Sequence, residues 1–343
     1  MRRSLTPTIV LTLVGFLFGM LLRYRIDPAE EASFANYLRS GLHGAGISYA
    51  TWTVHVYFTS RSSEWLRRWP LAAELFVRAL VMAAVITIVT TGLQVVLYGL
   101  RIEAKWVEAE LPLIVGIALV LSILIAAIHE LTRLIGGRAL FNVLIGRYRR
   151  PILEERVLLF LDLAGSTTLA ENMGEVRVQD LLKEFFFDID QPITAHGGEV
   201  HAYVGDEVIV TWRVTPTWPQ RRCVDCFFAI EDRIAARAEK YRKGFGVVPE
   251  FRAGLHAGRV VVSECGDSRR QVAYFGDTMN VTARLQALCK DAGRTLLVSG
   301  DLLRLVEPIK DLIVEPLGPT QLRGRAAPIE DFSVRRRSPE EAA

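Results

Sequence analysis

Two aspartates and an asparagine–arginine pair are the side chains of this sequence best placed to do chemistry. Asp162 closes the apolar run RVLLFLD and is followed by the small-residue stretch LAGST. A carboxylate at a strand end, beside a loop and a helix start, suits a metal–phosphate site, because the helix start offers unpaired N–H groups to phosphate oxygens. Asp206 lies in the tight turn of EVHAYVGDEVIVTW, directly after Gly205. One such Asp alone is most often a turn or cap residue. Two at the tips of neighbouring strands repel each other, and a divalent cation is the natural counter-charge. Asn280 and Arg284 stand four apart in NVTAR and share one face if that segment is a helix. The guanidinium can hold phosphate bidentately, and the amide both donates and accepts. Taken alone, such a pair is ordinary solvated helix surface. Arg323, in LRGRAAP, is another phosphate candidate beside a glycine that permits close approach, or else an ordinary basic turn.

The elements that must position these residues follow from periodicity. Arg156–Asp162 reads as a buried strand. Ser166 or Thr167 can cap the helix that follows it. A long helix then ends near Gly197 and Gly198, and Glu199–Trp212 reads as two strands around a Gly-Asp turn. A second long helix is expected over Arg222–Arg242, a strand pair over Phe251–Gly276, a third helix over Thr278–Ala292 and a last strand pair over Leu312–Val334. Strands and helices alternate without a regular βαβ rhythm. The expected fold is therefore α+β: an antiparallel-rich sheet with helices on one face.

The N-terminal half has a different character. The chain has 343 residues, half of them hydrophobic and 23% charged, and a mean hydropathy of +0.24. That excludes a disordered chain and argues against a purely soluble one. The net charge of +3 is too small to suggest a nucleic-acid partner. A bilayer core needs about 20 apolar helical residues. Segments 4–22, 76–100 and 111–130 meet that need, and 41–60, which carries His43, His55 and several hydroxyl residues, is expected to be a fourth span. For the two histidines the simplest reading is that they face the helix bundle or lie near the interface. Arg2 and Arg3, then Arg61, Arg67 and Arg68, then Arg133, Arg138, Arg147, Arg149 and Arg150 flank alternate ends of these spans. By the positive-inside rule this places both termini in the cytoplasm and the protein in the plasma (inner) membrane, in contact with lipid. The expected organisation is a transmembrane domain over 1–130, a connector over 131–153 that is broken by Pro151, a soluble domain over 154–335 and a tail over 336–343.

RVLLFLDLAGST, GGEVHAYVGDEVIV, FRAGLHAGRVV, FGDTMNVTARLQ and QLRGRAAP occur in that order. Each motif is weak, but the ordered set is specific. Over about Glu154–Arg335 the chain resembles the catalytic domain of class III adenylate and guanylate cyclases, in the membrane-anchored bacterial form with one such domain per chain. The resemblance implies a ferredoxin-like sheet and conversion of ATP to 3′,5′-cyclic AMP and pyrophosphate, a phosphorus–oxygen lyase reaction. It implies that Asp162, Asp206 and the carbonyl of Leu163 hold two divalent cations, Mg²⁺ or Mn²⁺, and that Ala164, Gly165, Ser166 and Thr167 form the triphosphate loop. Asn280 would orient the ribose, Arg284 would stabilise the developing charge, and Arg323 stands where the family usually has a phosphate-binding lysine. In the family one subunit supplies the aspartates and the other the asparagine and arginine, which implies a head-to-tail homodimer.

The sequence departs from the family at two places. The positions that usually select the base carry Ala202 and Ala273, neither of which can hydrogen-bond through its side chain. Strand alternation would point His201 and Tyr203 away from Ala202. ATP is therefore favoured over GTP by the resemblance and not by these residues. Two other readings stand beside an adenylate or guanylate cyclase: a cyclase-like membrane sensor that binds nucleotide without turnover, and a diguanylate cyclase, suggested by YVGDE but opposed by NVTAR and LRG. A transporter is more distant, since the spans are few and the soluble domain is complete. His256 is expected to be structural. Cys223 and Cys226, without a second pair, are not expected to hold zinc. Four cysteines in a chain of this length point to a reducing compartment.

Overall fold

The structure is a computed structural model that describes residues 6–26, 33–59, 69–99, 106–136, 141–143, 145–216, 221–267, 270–306, 311–320 and 328–337. The chain divides into two units, Met1–Ile135 and Gly136–Ala343.

The first unit is helical: α1 (Thr6–Ile26), α2 (Phe34–Thr59), α3 (Leu71–Tyr98) and α4 (Leu111–Ile135), the last entered through a π-helical turn at Trp106–Glu110. Among the described residues, three segments are long and apolar enough to cross a membrane: Pro7–Tyr24, Ala73–Tyr98 and Trp106–Ile128. The expected fourth span forms a helix, α2, which starts seven residues earlier than expected but is not among the three. Its Ser, Thr and His residues dilute the apolar ones. α2 instead packs closely on α1. A Cβ on Gly15 would lie 2.0 Å from Ser48 Oγ, one on Gly19 2.2 Å from the Ser40 carbonyl oxygen, and one on Gly44 2.2 Å from the Gly15 carbonyl oxygen. Small residues spaced four apart let helix backbones approach in this way. His43 and His55 are buried within this unit.

The second unit holds an eight-stranded sheet: β1 (Ile152–Leu163), β2 (Glu199–Val204), β3 (Glu207–Arg213), β4 (Phe251–Cys265), β5 (Gln271–Phe275), β6 (Leu296–Ser299), β7 (Leu312–Thr320) and β8 (Ile329–Arg336). Its order is β2-β3-β1-β4-β6-β8-β7, with β5 paired to β4, and every pairing is antiparallel except β4 with β6. The helices are α5 (Ser166–Met173), α6 (Glu175–Ala195), α7 (Arg222–Ala235), α8 (Ala238–Phe245), α9 (Asp277–Asp291) and the single turn α10 (Gly300–Leu303). The second long helix expected over Arg222–Arg242 is thus two, α7 and α8.

β1 is central and buried on both faces, which is why its apolar residues run without alternation. Val157, Leu159 and Leu161 pack with Leu181, Phe185 and Ile189 of α6 and Phe227 and Ile230 of α7. Leu158 and Phe160 face the other way, onto Tyr148, Ile209, Val260 and Val262. Val272 and Tyr274 of β5 and Met279 of α9 pack against this second group, so β5 lies over that face of the sheet. α9 itself packs through Val281, Leu285 and Cys289 onto Leu297 and Ile329. Leu297 points opposite to Leu296 and Val298, which join the α6–α7 core. Helices therefore cover both faces and not one, because β4 and β6 carry apolar side chains on both sides.

Cys223 and Cys226 are buried in the core, where loss of water pushes the Cys226 thiol up to about 12. His256 is buried in β4, with Nδ1 2.8 Å from the Ser299 hydroxyl. That hydroxyl caps α10 by accepting the Leu302 N–H, so His256 ties β4 to the end of β6.

Candidate active site

Asp162 sits near the C-terminal end of β1. Its backbone pairs with Glu207 on β3 and Arg252 on β4. β2 and β3 are joined by the two-residue turn Gly205–Asp206, which brings Asp206 to the same end of the sheet. Gly205 has φ +65° and Gly165, the residue before α5, has φ +72°. A Cβ at either would meet nothing within 4 Å, so both glycines serve the left-handed backbone and not a tight fit. After Asp162 the chain runs through Leu163 and Ala164, whose N–H is held by the Glu250 carbonyl at 2.8 Å. Gly165 then turns it into α5, which starts at Ser166 and Thr167 with no side-chain cap. The N–H groups of that first turn are available to an anion.

The electrostatics are those of a site short of positive charge. Burial pushes the Asp162 carboxyl up, and the neighbouring Asp206 carboxylate pushes it further, to about 6. Hydrogen bonds from Gln286, whose Nε2 is 3.4 Å from Oδ2, and from the Leu163 N–H offset this only in part. Burial, then Asp162 and Asp206, raise Glu207 to about 7. Arg252 stands directly across the ladder from Asp162, yet no ion pair neutralises Asp162 or Asp206 among the described residues. Carboxylates crowded together without a cationic side chain fit a divalent cation chemically. Among the described residues no group of three or more His, Cys, Asp or Glu is close enough to form a complete cage. A metal held here would draw its other ligands from backbone, water or substrate phosphates, the usual arrangement for Mg²⁺.

Asn280 and Arg284 both lie on α9, Asn280 exposed and Arg284 half-buried. Among the described residues neither makes a hydrogen bond or ion pair with Asp162 or Asp206 of its own chain. The sequence-derived site therefore forms two groups within one chain: the strand-tip carboxylates with the α5 turn, and the face of α9. Arg323 lies outside the described residues.

Ala202 and Ala273 are on β2 and β5. One expectation fails beside them. The β2–β3 ladder pairs Val200 with Val210 but Ala202 with Ile209, leaving His201 as an extra residue. This is a β-bulge, and it breaks alternation. Tyr203 does point away, packing on Phe186 of α6 with ring centroids 4.7 Å apart. His201 does not: its ring stacks on Tyr274 of β5, centroids 4.1 Å apart and planes 9° apart, on the same face as Ala202. Glu207 and Gln286 were also missed. The register of the hairpin would have exposed Glu207, since a two-residue turn sets which residue of β3 stands beside Asp162. Gln286 carries no signal in the sequence.

Residues 152–335 match the family described as "Adenylate and Guanylate cyclase catalytic domain". The chain belongs to that family. The chain is 41% identical over 201 residues to adenylate cyclase 2 of Rhizobium meliloti (strain 1021), covering 59% of this chain and 55% of that protein. It is 32% identical over 187 residues to adenylate cyclase 1 of the same organism, covering 53% of this chain and 27% of that protein. The matches thus span about half of the first relative and about a quarter of the second. A bacterial light-regulated adenylyl cyclase of known structure shares the fold, with a TM-score of 0.55 and 22% identity, covering 67% of this chain and 68% of that one.

Proposed function

We propose that this chain is a membrane-anchored adenylate cyclase that converts ATP to 3′,5′-cyclic AMP and pyrophosphate at two equivalent sites of a head-to-tail homodimer. The observation that carries it is the adjacent carboxylates of Asp162 and Asp206, held without a compensating cationic side chain among the described residues beside the open start of α5. Two divalent cations, Mg²⁺ or Mn²⁺, on those carboxylates and the Leu163 carbonyl would supply Lewis-acid activation of the ribose 3′-oxygen and of the leaving phosphates. The protein does the rest by positioning. The loop over residues 164–167 takes the triphosphate through the N–H groups of Gly165, Ser166 and Thr167, since that of Ala164 is spent on the Glu250 carbonyl, with Arg323 as a further cationic contact. Asn280 orients the ribose for in-line attack, and Arg284 stabilises charge developing on the α-phosphate, a role whose loss typically costs about 10²–10³ in rate. That Asn280 and Arg284 touch neither aspartate within the chain supports their acting on the partner's metal pair. The 41% identity to an adenylate cyclase supports ATP over GTP.

The membrane domain is read as 1–130, followed by the connector 131–153, the catalytic domain 154–335 and the tail 336–343, with both termini cytoplasmic. This requires α2 to cross the membrane with the three apolar helices. Its 26 residues are long enough, and its close packing on α1 supports it.

The deciding experiment incubates the full chain, purified in detergent, with ATP or GTP and Mg²⁺ or Mn²⁺, and identifies the product by mass spectrometry. Cyclic AMP that vanishes in Asp162→Ala is the expected result. Nucleotide binding without any cyclic product would overturn the enzyme reading and leave a nucleotide-binding sensor. Cyclic GMP alone would overturn the choice of substrate.

A further inference from the structure

The base positions Ala202 and Ala273 leave the cyclase reading without a side chain that can hydrogen-bond the purine, and the structure sets a histidine on the face of Ala202. The bulge in β2 turns His201 onto the face that Ala202 occupies. The imidazole lies flat on Tyr274, so the stack joins β2 to β5 on the face that Ala202 shares, while Ala273, alternating with Val272 and Tyr274, points the other way. Tyr274 is held in turn by the Arg156 guanidinium, 4.8 Å from its ring centroid. Arg156 is fixed by Glu154, Thr211 and the Tyr148 hydroxyl. His201 is thus set on a rigid column.

Its hydrogen-bonding capacity is unspent. Neither ring nitrogen has a hydrogen-bond partner among the described residues, although the side chain is half-buried. Burial, and then Arg156, lower its pKa from the ordinary histidine value, which favours the neutral ring. A neutral imidazole carries one donor and one acceptor on nitrogens that point apart, so one of them at a time can meet the base, the bare nitrogen accepting an N–H of the 6-amino group of adenine. Ala202, on the same face, adds no bulk beyond its methyl group beside the ring.

Resting on the cyclase reading, we propose that His201 is the base-recognition residue of this site, reading the 6-amino edge of the purine, and that Tyr274 is its positioning residue. Discrimination by one hydrogen bond is modest, which matches the absence of a charged selector.

The test compares ATP with purine riboside triphosphate, which lacks the 6-amino group, by displacement of a fluorescent ATP analogue from the full-length protein in detergent. Wild type should bind ATP about tenfold tighter, the worth of roughly one hydrogen bond. His201→Phe keeps the stack and removes the nitrogens; its two affinities should be equal. His201→Leu carries the same test if the Phe variant does not fold, and His201→Gln should restore part of the preference. A merely structural His201 would change both affinities together and leave their ratio intact. An unchanged ratio in His201→Phe or His201→Leu overturns the proposal while leaving the cyclase reading untouched. Loss of the ratio in a protein that makes no cyclic nucleotide overturns the enzyme reading and leaves this one standing. Failure of wild type to bind either nucleotide overturns both.

Discussion

At the scale of single residues, the most heavily committed side chain outside the reaction centre is Glu154. Its carboxylate, 3% exposed, receives two hydrogen bonds from Arg156, at 2.8 and 3.0 Å, and one from Arg147 at 3.0 Å, with Arg213 at 3.6 Å. Burial alone would raise its pKa, but Arg156, then Arg213 and Arg147, more than offset burial, and the net shift is downward. A carboxyl whose folded pKa is lowered adds stability above its unfolded pKa of about 4.3, and that stability is lost as pH falls through the folded value. Glu154→Gln leaves the Arg156 charge buried and unpaired, a change that costs about 3–5 kcal/mol in comparable sites. The expected outcome is a lower melting temperature at pH 7, with the gap to wild type narrowing toward pH 4. An equal gap at both pH values would show that the carboxylate's charge contributes nothing. None of this network was visible in the sequence, where Glu154 and Arg156 read only as charges bounding a strand. Asp162 and Asp206 were legible because strand tips and tight turns announce themselves in residue type. His201 was misplaced because a bulge changes facing without changing composition.

At the scale of elements, the contact between β4 and α9 decides where Asn280 and Arg284 stand. Gly254 of β4 lies against the helix backbone: a Cβ there would be 2.5 Å from the Gln286 nitrogen and 2.7 Å from the Thr282 oxygen. Backbone atoms cannot swing aside as a side-chain end can, so Gly254→Ala must push α9 off the sheet. Overpacking of this kind costs about 1–3 kcal/mol, and a displacement of ~1 Å in a catalytic group can cost about 10²-fold in rate. Gly254→Ala should therefore fold with a lowered melting temperature and lose about 10²-fold in kcat for cyclic nucleotide formation. Gly244→Ala, where a Cβ meets nothing within 4 Å, should leave both unchanged. Wild-type kcat in Gly254→Ala would show that the site tolerates movement of α9. The existence of α9, β1 and the β2–β3 hairpin was legible from period and turn chemistry. That α9 covers the face opposite α6 and α7 was not, because an apolar stripe says that a helix is buried without saying against which side. α2 shows the complementary limit: its length was readable, while the glycine contacts that seat it on α1 depend on a register between helices.

At the scale of the whole molecule, the division of the site sets a test that no single variant can supply. The carboxylates and the α5 turn form one group and Asn280 with Arg284 another, and among the described residues no hydrogen bond or ion pair joins Asn280 or Arg284 to either aspartate within the chain, although Gln286 of the same helix reaches Asp162. If each reaction centre takes one group from each protomer, Asp162→Ala and Arg284→Ala are inactive alone for different reasons. A mixed dimer then holds one centre with both defects and one with neither. Closed two-fold pairing of equal amounts gives about half mixed dimers, each with one of two sites intact, so co-expression should recover about a quarter of wild-type activity. Cyclic nucleotide production by the co-expressed pair, against each variant alone at the same total protein, reads this directly. A site built within one chain recovers nothing on mixing, since every copy still lacks one of its own groups.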